Sequence, residues 1–326
     1  MPAATRTYWL TSACRIRRKA QSLVVERADG KPVHIPITDV ADIVACEPVD
    51  INTAVISLLN THSIDVHLLG HYGDYTGSLL TAESNTSGQT VLAQARLATD
   101  PTAGLDIARQ IVRATAFNVR RVVGRELLAH PLEVLESTVR QAGTREQLMG
   151  AEGTFRRSAW EVIDTQLPDW LQLRGRSRRP PRNAGNAIIS YINGIVYART
   201  LSAIRLTPLH SGIAFLHASM QRQRHSLALD LAEVFKPLFA ERLLLRLAHR
   251  NQLGSQHFDS SVEHAALSDT GRKLVVAAVR DELATTITHR TLKRKVAYEE
   301  LIYLDALKLT RTALEATPYT PFRIWW

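Results

Sequence analysis

The sequence predicts an α+β fold: a small β-rich N-terminal domain at residues 1–84, a linker at 85–92, and a larger all-helical domain at 93–326. Three observations predict it. Short apolar or alternating runs separated by turn residues fill about the first 85 positions, and such runs read as strands. "AESNTSGQT" (82–90) is polar, small and broken by glycine, the pattern of a linker. Beyond it, apolar residues recur at helical spacing. The totals agree, since 326 residues with 45% hydrophobic and 22% charged side chains can bury a sizeable core and form two domains.

In order along the chain, "TYWLTSA", "SLVVERADGKPVHIPI", "VADIVACE", "IDVHLLG" and "DYTGSLLTA" are the strand runs, with "ADGKP" as a hairpin turn. One helix interrupts them at "AVISLLNTH", where Asn52 or Thr53 can cap the first turn. After the linker, "GLDIARQIVRATAFNVRRVVGRELLAH" predicts a helix of about seven turns. Ala108, Ile111, Val112 and Val119 lie on its apolar side, with Arg109, Arg113, Arg120 and Arg121 opposite. Further helices are predicted at 131–141, 143–166, 184–204, 227–249, 270–288 and 297–316. "LRGRSRRPPRNAGN" is irregular because its double proline excludes helix, and its crowded like charges predict a mobile segment.

Charge narrows the partners. A net charge of +9 and an isoelectric point near 9.8 favour polyanions such as nucleic acid or an acidic membrane. The excess is clustered: Arg174, Arg176, Arg178, Arg179 and Arg182 fall within "RGRSRRPPR", with further basic groups at "RIRRK" (15–19) and "HRTLKRK" (289–295). Two separated cysteines, Cys14 and Cys46, argue for a reducing cytoplasm and against a disulfide framework or zinc knuckle. The N-terminal stretch lacks a signal-peptide core, and no run of about 18 apolar residues predicts a membrane span.

Three places in the helical region could supply metal ligands. Glu152 lies in "LMGAEGTFRRSAW", His217 follows the apolar run of "TPLHSGIAFLHASM", and Asp230 and Glu233 stand three apart in "SLALDLAEVFKP". Each has a plainer reading. A lone glutamate is most often solvated, and a lone histidine is most often a hydrogen-bonded boundary residue. Ser226, Asp230, Glu233 and Glu241 share one stripe, as a solvated helix face would. Spacing alone leaves both readings open. Two carboxylates and an imidazole would suit Mg²⁺ or Mn²⁺ better than structural Zn²⁺. No GxSxG, P-loop, HExxH or deaminase signature offers another chemistry.

The stretches "LMGAEGTFRRSAW", "RSRRPPRNAGNAIISYINGIVYA" and "HSGIAFLHASMQRQRHSLALDLAEVFKPL", in that order, closely resemble the universal CRISPR-associated endonuclease and integrase of spacer acquisition. "DIVACEPVDINTAVISLLNTHSIDVHLLG" and "PYTPFRIWW" extend the resemblance to essentially the whole chain. It implies that Glu152, His217 and Glu233 hold a divalent ion, Mg²⁺ or Mn²⁺, with Asp230 supporting them in catalysis. Asn186 matches the family's asparagine after the arginine loop, where capping the helix is an equally good role. Asn183 departs from the family, which often has aspartate there.

The resemblance further implies attack by a 3′-hydroxyl of donor DNA on a repeat phosphodiester, in one transesterification. It implies branched and double-stranded DNA as partners, a homodimer formed through the β domain, and a small ferredoxin-like adaptation partner. Arg174, Arg176, Arg178, Arg179, Arg182, Arg222 and Arg224, with the basic side of helix 103–128, are the expected DNA contacts. Two alternatives stand beside this reading: a DNA-binding scaffold with a vestigial site, and an integrase of a related mobile element.

Overall fold

The computed structural model describes residues 6–28, 30–82, 85–218, 225–259 and 265–326. The β region contains β1 (Arg6–Leu10), β2 (Cys14–Lys19), β3 (Ser22–Glu26), β4 (Val33–Pro36), β5 (Val40–Ala45), β6 (Val49–Asp50), α1 (Thr53–Thr61), β7 (Val66–Leu69) and β8 (Tyr75–Leu79). One sheet has the order β1-β5-β7-β8, parallel except for β8, and the other the order β4-β3-β2-β6. β3 and β4 pair antiparallel, as the Asp-Gly signal predicts, although Asp29 lies outside the described residues. Alternation puts Ile16, Leu23, Val25 and Ile35 inside, where they meet Val55, Leu58 and Leu59 of α1 in one small core. Asn52 caps α1, its side chain accepting from the Val55 N–H at 3.1 Å.

The helical region contains α2 (Gly88–Thr99), α3 (Ala103–Val123), α4 (Ala129–Gln141), α5 (Arg145–Asp164), α6 (Ala184–Arg205), α7 (Ser226–Lys236), α8 (Arg242–His249), β9 (Phe258–Asp259), β10 (Ala266–Leu267), α9 (Asp269–Ala284), β11 (Thr286–Thr288), β12 (Lys295–Ala297) and α10 (Tyr298–Glu315). α6 is long and apolar enough to pass for a membrane span, but 83% of that window is buried inside the protein. It is the central strut of the larger core.

Several expectations are corrected. The linker is shorter than 85–92, because α2 already begins at Gly88 and Gln94 is buried, bonding His210 O at 3.0 Å and Ile213 O at 2.7 Å. The predicted seven-turn helix stops at Val123, where Gly124 takes a φ of 155°. The 227–249 helix is interrupted by a π turn over Pro237–Glu241, since Pro237 has no N–H to bond the carbonyl four residues back. The second region is not all-helical. The β-branched run after Thr285 leaves α9 and pairs as β11 with β12, and β9 pairs with β10.

The two regions meet along α6. Gly73, with φ 76°, sits so close that a Cβ there would stand 2.3 Å from Tyr191 Cα, and a Cβ on Gly194 would stand 1.8 Å from Gly73 O. Polar contacts surround this approach. Asp42 accepts from Arg199 and from Ser202 Oγ (2.8 Å), Arg205 pairs with Asp65, and Arg272 Nε lies 2.7 Å from Glu47 Oε1. His67, fully buried, bridges Ser78 Oγ (2.7 Å) and Ser202 Oγ (2.8 Å).

Candidate functional site

A cavity of about 750 Å³ opens where α5, α6, α7 and the β7–β8 turn meet. α5 contributes Glu152, Arg156, Trp160 and Asp164, four successive positions on one helical face. α7 contributes Glu233 and Lys236, α6 contributes Asn193 and Tyr197, and His217 comes from the loop before α7. Asp74 and Tyr75 reach in from the β region, with Tyr75 packed on Tyr197 at 4.7 Å between ring centroids. The three residues Glu152, His217 and Glu233, separated by up to 81 positions in sequence, therefore line one space.

Asp230 does not line it. Its side chain is fully buried and accepts four hydrogen bonds: from Phe215 N (2.7 Å), Leu216 N (2.9 Å), His217 N (2.9 Å) and His217 Nδ1 (2.8 Å). A carboxylate already taking three backbone N–H groups can only accept from the imidazole, so Nδ1 carries a hydrogen and the Nε2 lone pair is left for a ligand. The helix stripe is thus not a solvated face, because Ser226, Asp230 and Glu241 are all buried.

The charges in the cavity polarise one another. Burial, and then the neighbouring Glu233, raise the Glu152 pKa to about 7. Glu233 goes the other way: burial opposes ionisation, but Lys236 and Arg156 outweigh it and hold the carboxyl well below the usual range. Burial works against a charged His217, yet its hydrogen bond to Asp230 raises its pKa overall. Lys236 forms an ion pair with Glu233. Arg156 lies 4.6 Å over the Trp160 ring, with Nη1 2.7 Å from the buried Glu241 Oε1.

Among the described residues, no group of three His, Cys, Asp or Glu side chains is already drawn together as an ion would draw them. The donor set nonetheless fits a hard divalent cation. Glu152 has no hydrogen bond or ion pair among the described residues, Glu233 has one ion pair, with Lys236, and His217 Nε2 is free there. In this arrangement the Lys236 ammonium supplies part of the positive charge an ion would bring.

The arginine loop is irregular, as expected, and several hydrogen bonds tie it to α5 and α6. Asn186 is fully buried and accepts from Arg176 Nη1 (2.9 Å) and Ser177 N (3.0 Å), while its amide donates to Leu173 O (2.9 Å) and Gly175 O (3.0 Å). Asp164 accepts from Leu173 N at 2.6 Å and Arg174 N at 2.8 Å. The cap of α6 is Asn183, which accepts from Asn186 N at 2.9 Å, so the capping role falls to Asn183, three residues before Asn186. Asparagine and aspartate cap helices about equally well.

Arg178 and Arg179 are exposed and line the cavity mouth, while Arg174 and Arg182 are exposed outside it. Arg176 is mostly buried, and burial with Arg178 and Arg156 lowers its pKa to about 10. Arg222 and Arg224 lie outside the described residues.

The basic side of α3 is engaged within the fold. Arg113 pairs with Glu136 at 2.9 Å, Arg109 with Asp106 at 2.5 Å, Arg120 donates to Arg125 O at 2.6 Å and Arg121 to Trp326 O at 2.8 Å. These four are structural ties. Sequence reasoning passed over Lys236, Tyr75 and Tyr197; only the i,i+3 spacing of Lys236 from Glu233 could have pointed to the first.

An acidic, imidazole-bearing cavity overhung by arginines suits a protein that handles a polyanion. The family model for CRISPR associated protein Cas1 matches residues 7–281, and the chain belongs to this family. CRISPR-associated endonuclease Cas1 2 of Moorella thermoacetica is 34% identical over 324 residues, covering 98% of this chain and 100% of that protein. A solved Cas1 protein from Thermotoga maritima superposes with a TM-score of 0.85 at 30% identity, over 95% of this chain and 97% of the other. A casposase bound to integration product has a TM-score of 0.86 at 18% identity, over 98% of this chain and 95% of the other, and at that identity speaks to fold alone.

Proposed function

We propose that this Cas1-family chain is a divalent-metal-dependent DNA endonuclease and integrase. It inserts spacers into a CRISPR array by attack of a donor 3′-hydroxyl on a repeat phosphodiester. The observation that carries the reading is the convergence of Glu152, His217 and Glu233 on one cavity beneath Arg178 and Arg179. Glu152, His217 and Glu233 hold the ion, Mg²⁺ or Mn²⁺. When bound, it polarises a phosphodiester and makes a hydroxyl a better nucleophile. Asp230 acts through His217, fixing the tautomer that presents Nε2. Arg178 and Arg179 hold phosphate oxygens at the mouth, and Asn186 fixes the loop that carries them.

The β region is the dimer-forming part, and a small ferredoxin-like protein joins two such dimers. Both are carried by family resemblance, as is a cytoplasmic location. The intact donor set favours this enzyme over a vestigial scaffold. The test is cleavage and strand transfer on branched DNA with Mn²⁺, Mg²⁺ or EDTA, comparing wild type with Glu233→Ala and measuring DNA binding on the same samples. The reading predicts activity that needs metal and vanishes in the variant while binding survives. Activity indifferent to both EDTA and Glu233 would refute it.

A further inference from the structure

The basic stretch His289–Lys295 supplies no residue to the cavity. β11 and β12 pair antiparallel with Thr288 opposite Lys295, and residues 289–294 form the turn between them. The turn is built on His289. Its Nδ1 accepts from Thr291 N (3.2 Å) and Leu292 N (3.1 Å), and its own N–H donates to Arg294 O at 2.9 Å. Lys293 turns the chain back with a φ of 52°, its N–H bonded to His289 O at 3.0 Å.

This turn is anchored to the C-terminal tail. The His289 ring meets Trp325 edge-on with centroids 5.5 Å apart. The Arg290 guanidinium lies 5.7 Å from the same indole's centroid, and Nη2 donates to Trp325 O at 3.0 Å. The hairpin is therefore a fixed projection, with Arg290, Lys293 and Lys295 all exposed on it.

The local acids are already engaged. Glu299 pairs with Arg199, and Glu300 with Arg294. Among the described residues, Lys293 and Lys295 have no acidic partner, and Arg290 holds only the tail. Nearby, Arg294 is offset by Glu300 and Lys308 by Asp305, so the uncompensated charge of the hairpin rests on Arg290, Lys293 and Lys295. Cations held together without counter-charge repel one another, and a polyanion relieves that repulsion.

We propose that the β11–β12 hairpin is a second DNA-contact site, gripping the phosphate backbone of a duplex through Arg290, Lys293 and Lys295 outside the cavity. This rests on the DNA-processing reading above. The contact is independent of base sequence, because it presents point charges to phosphates and nothing to base edges.

The test uses the full chain and a fluorescent duplex of arbitrary sequence, with affinity followed as salt is raised. Removing one cation that neutralises a phosphate lowers the slope of log affinity against log salt by about 0.9, so Arg290→Ala/Lys293→Ala/Lys295→Ala lowers it by about 2 to 3. Arg280→Ala, an exposed arginine paired with Asp281, leaves the slope unchanged. If thermal melting shows the triple variant to be misfolded, Lys293→Ala/Lys295→Ala, in which Arg290 and His289 still hold Trp325, lowers the slope by about 2. A wild-type slope in a folded variant overturns the proposal and leaves the hairpin to an acidic protein partner. Wild type that shows no salt-dependent DNA binding overturns the DNA-processing reading first and this site with it.

Discussion

The acidic wall of the cavity and its basic rim differ in how firmly the fold holds them. Glu152 and Glu233 project from helices whose other faces are in the core, and His217 is locked by a buried carboxylate with four hydrogen bonds. Arg178 and Arg179 stand exposed on an irregular loop, which Asp164 and Asn186 anchor through residues 173–177 and not through these two side chains. The difference suits the two tasks proposed for them. Holding an ion demands positions fixed to fractions of an ångström, whereas gripping a phosphate backbone tolerates side chains that adjust.

The largest effect expected is at Asp230. Asp230→Ala leaves three buried backbone N–H groups and the His217 imidazole without an acceptor, a loss of roughly 3 to 5 kcal/mol that a denaturant melt will read. Asp230→Asn is milder on folding and weakens Mn²⁺ binding by about 10- to 100-fold, the range for removal of a supporting partner. If Asp230→Asn binds Mn²⁺ as wild type does, the acidic wall owes nothing to its buried support.

Next comes the seam that brings Asp74 and Tyr75 to the cavity. Burial lowers the His67 pKa to about 4, with Arg199 and Arg205 adding to it and Asp42 and Asp65 opposing. Below its ordinary pKa of about 6.5 the unfolded chain takes up the proton first. Stability is therefore full above that value and falls as pH drops towards 4, by up to roughly 3 kcal/mol. Stability curves at successive pH values should be flatter for His67→Gln. Identical curves would mean that His67 has no part in the seam's pH response.

Lys236 gives a smaller effect. Because its ammonium neutralises Glu233, Lys236→Met should tighten Mn²⁺ binding by about fivefold, the equivalent of about 1 kcal/mol. Looser binding would mean that Lys236 orders the wall rather than competing for it. On the rim, Arg178→Ala/Arg179→Ala should lower the salt slope of DNA binding by about 2 with the maximal rate at saturating DNA retained. Arg113→Ala on α3 should leave that slope alone and cost at most about 1 kcal/mol of stability.

Much of this architecture was legible in the sequence. Period-two runs gave the β region and helical spacing gave α3 to α5, which bury one side each, while α6 is buried nearly all round and shows as a long apolar run. Breaks that depend on a single residue, such as Pro237 and Gly124, were harder to place within long apolar patterns. Asp230 and Glu233 share a stripe, and spacing could not say that one turns into the core and the other to the cavity. The arginines of α3 and of the loop looked alike for a similar reason. Their fates depend on Glu136, on Trp326 and on carbonyls brought near only by folding. Glu152 was one candidate among several on the residues alone and received its ligand role from family resemblance, since nothing in its neighbours distinguishes it from a solvated glutamate.

The most direct measurement is a calorimetric titration of Mn²⁺ into the metal-stripped full chain and into Glu152→Gln, His217→Ala and Glu233→Gln, each verified as folded by thermal melting. A three-ligand centre predicts one site in wild type, weakened in every variant by about a hundredfold or more, beyond the effect expected of a supporting residue. Equal affinity in all four proteins, or no binding to wild type, would contradict it.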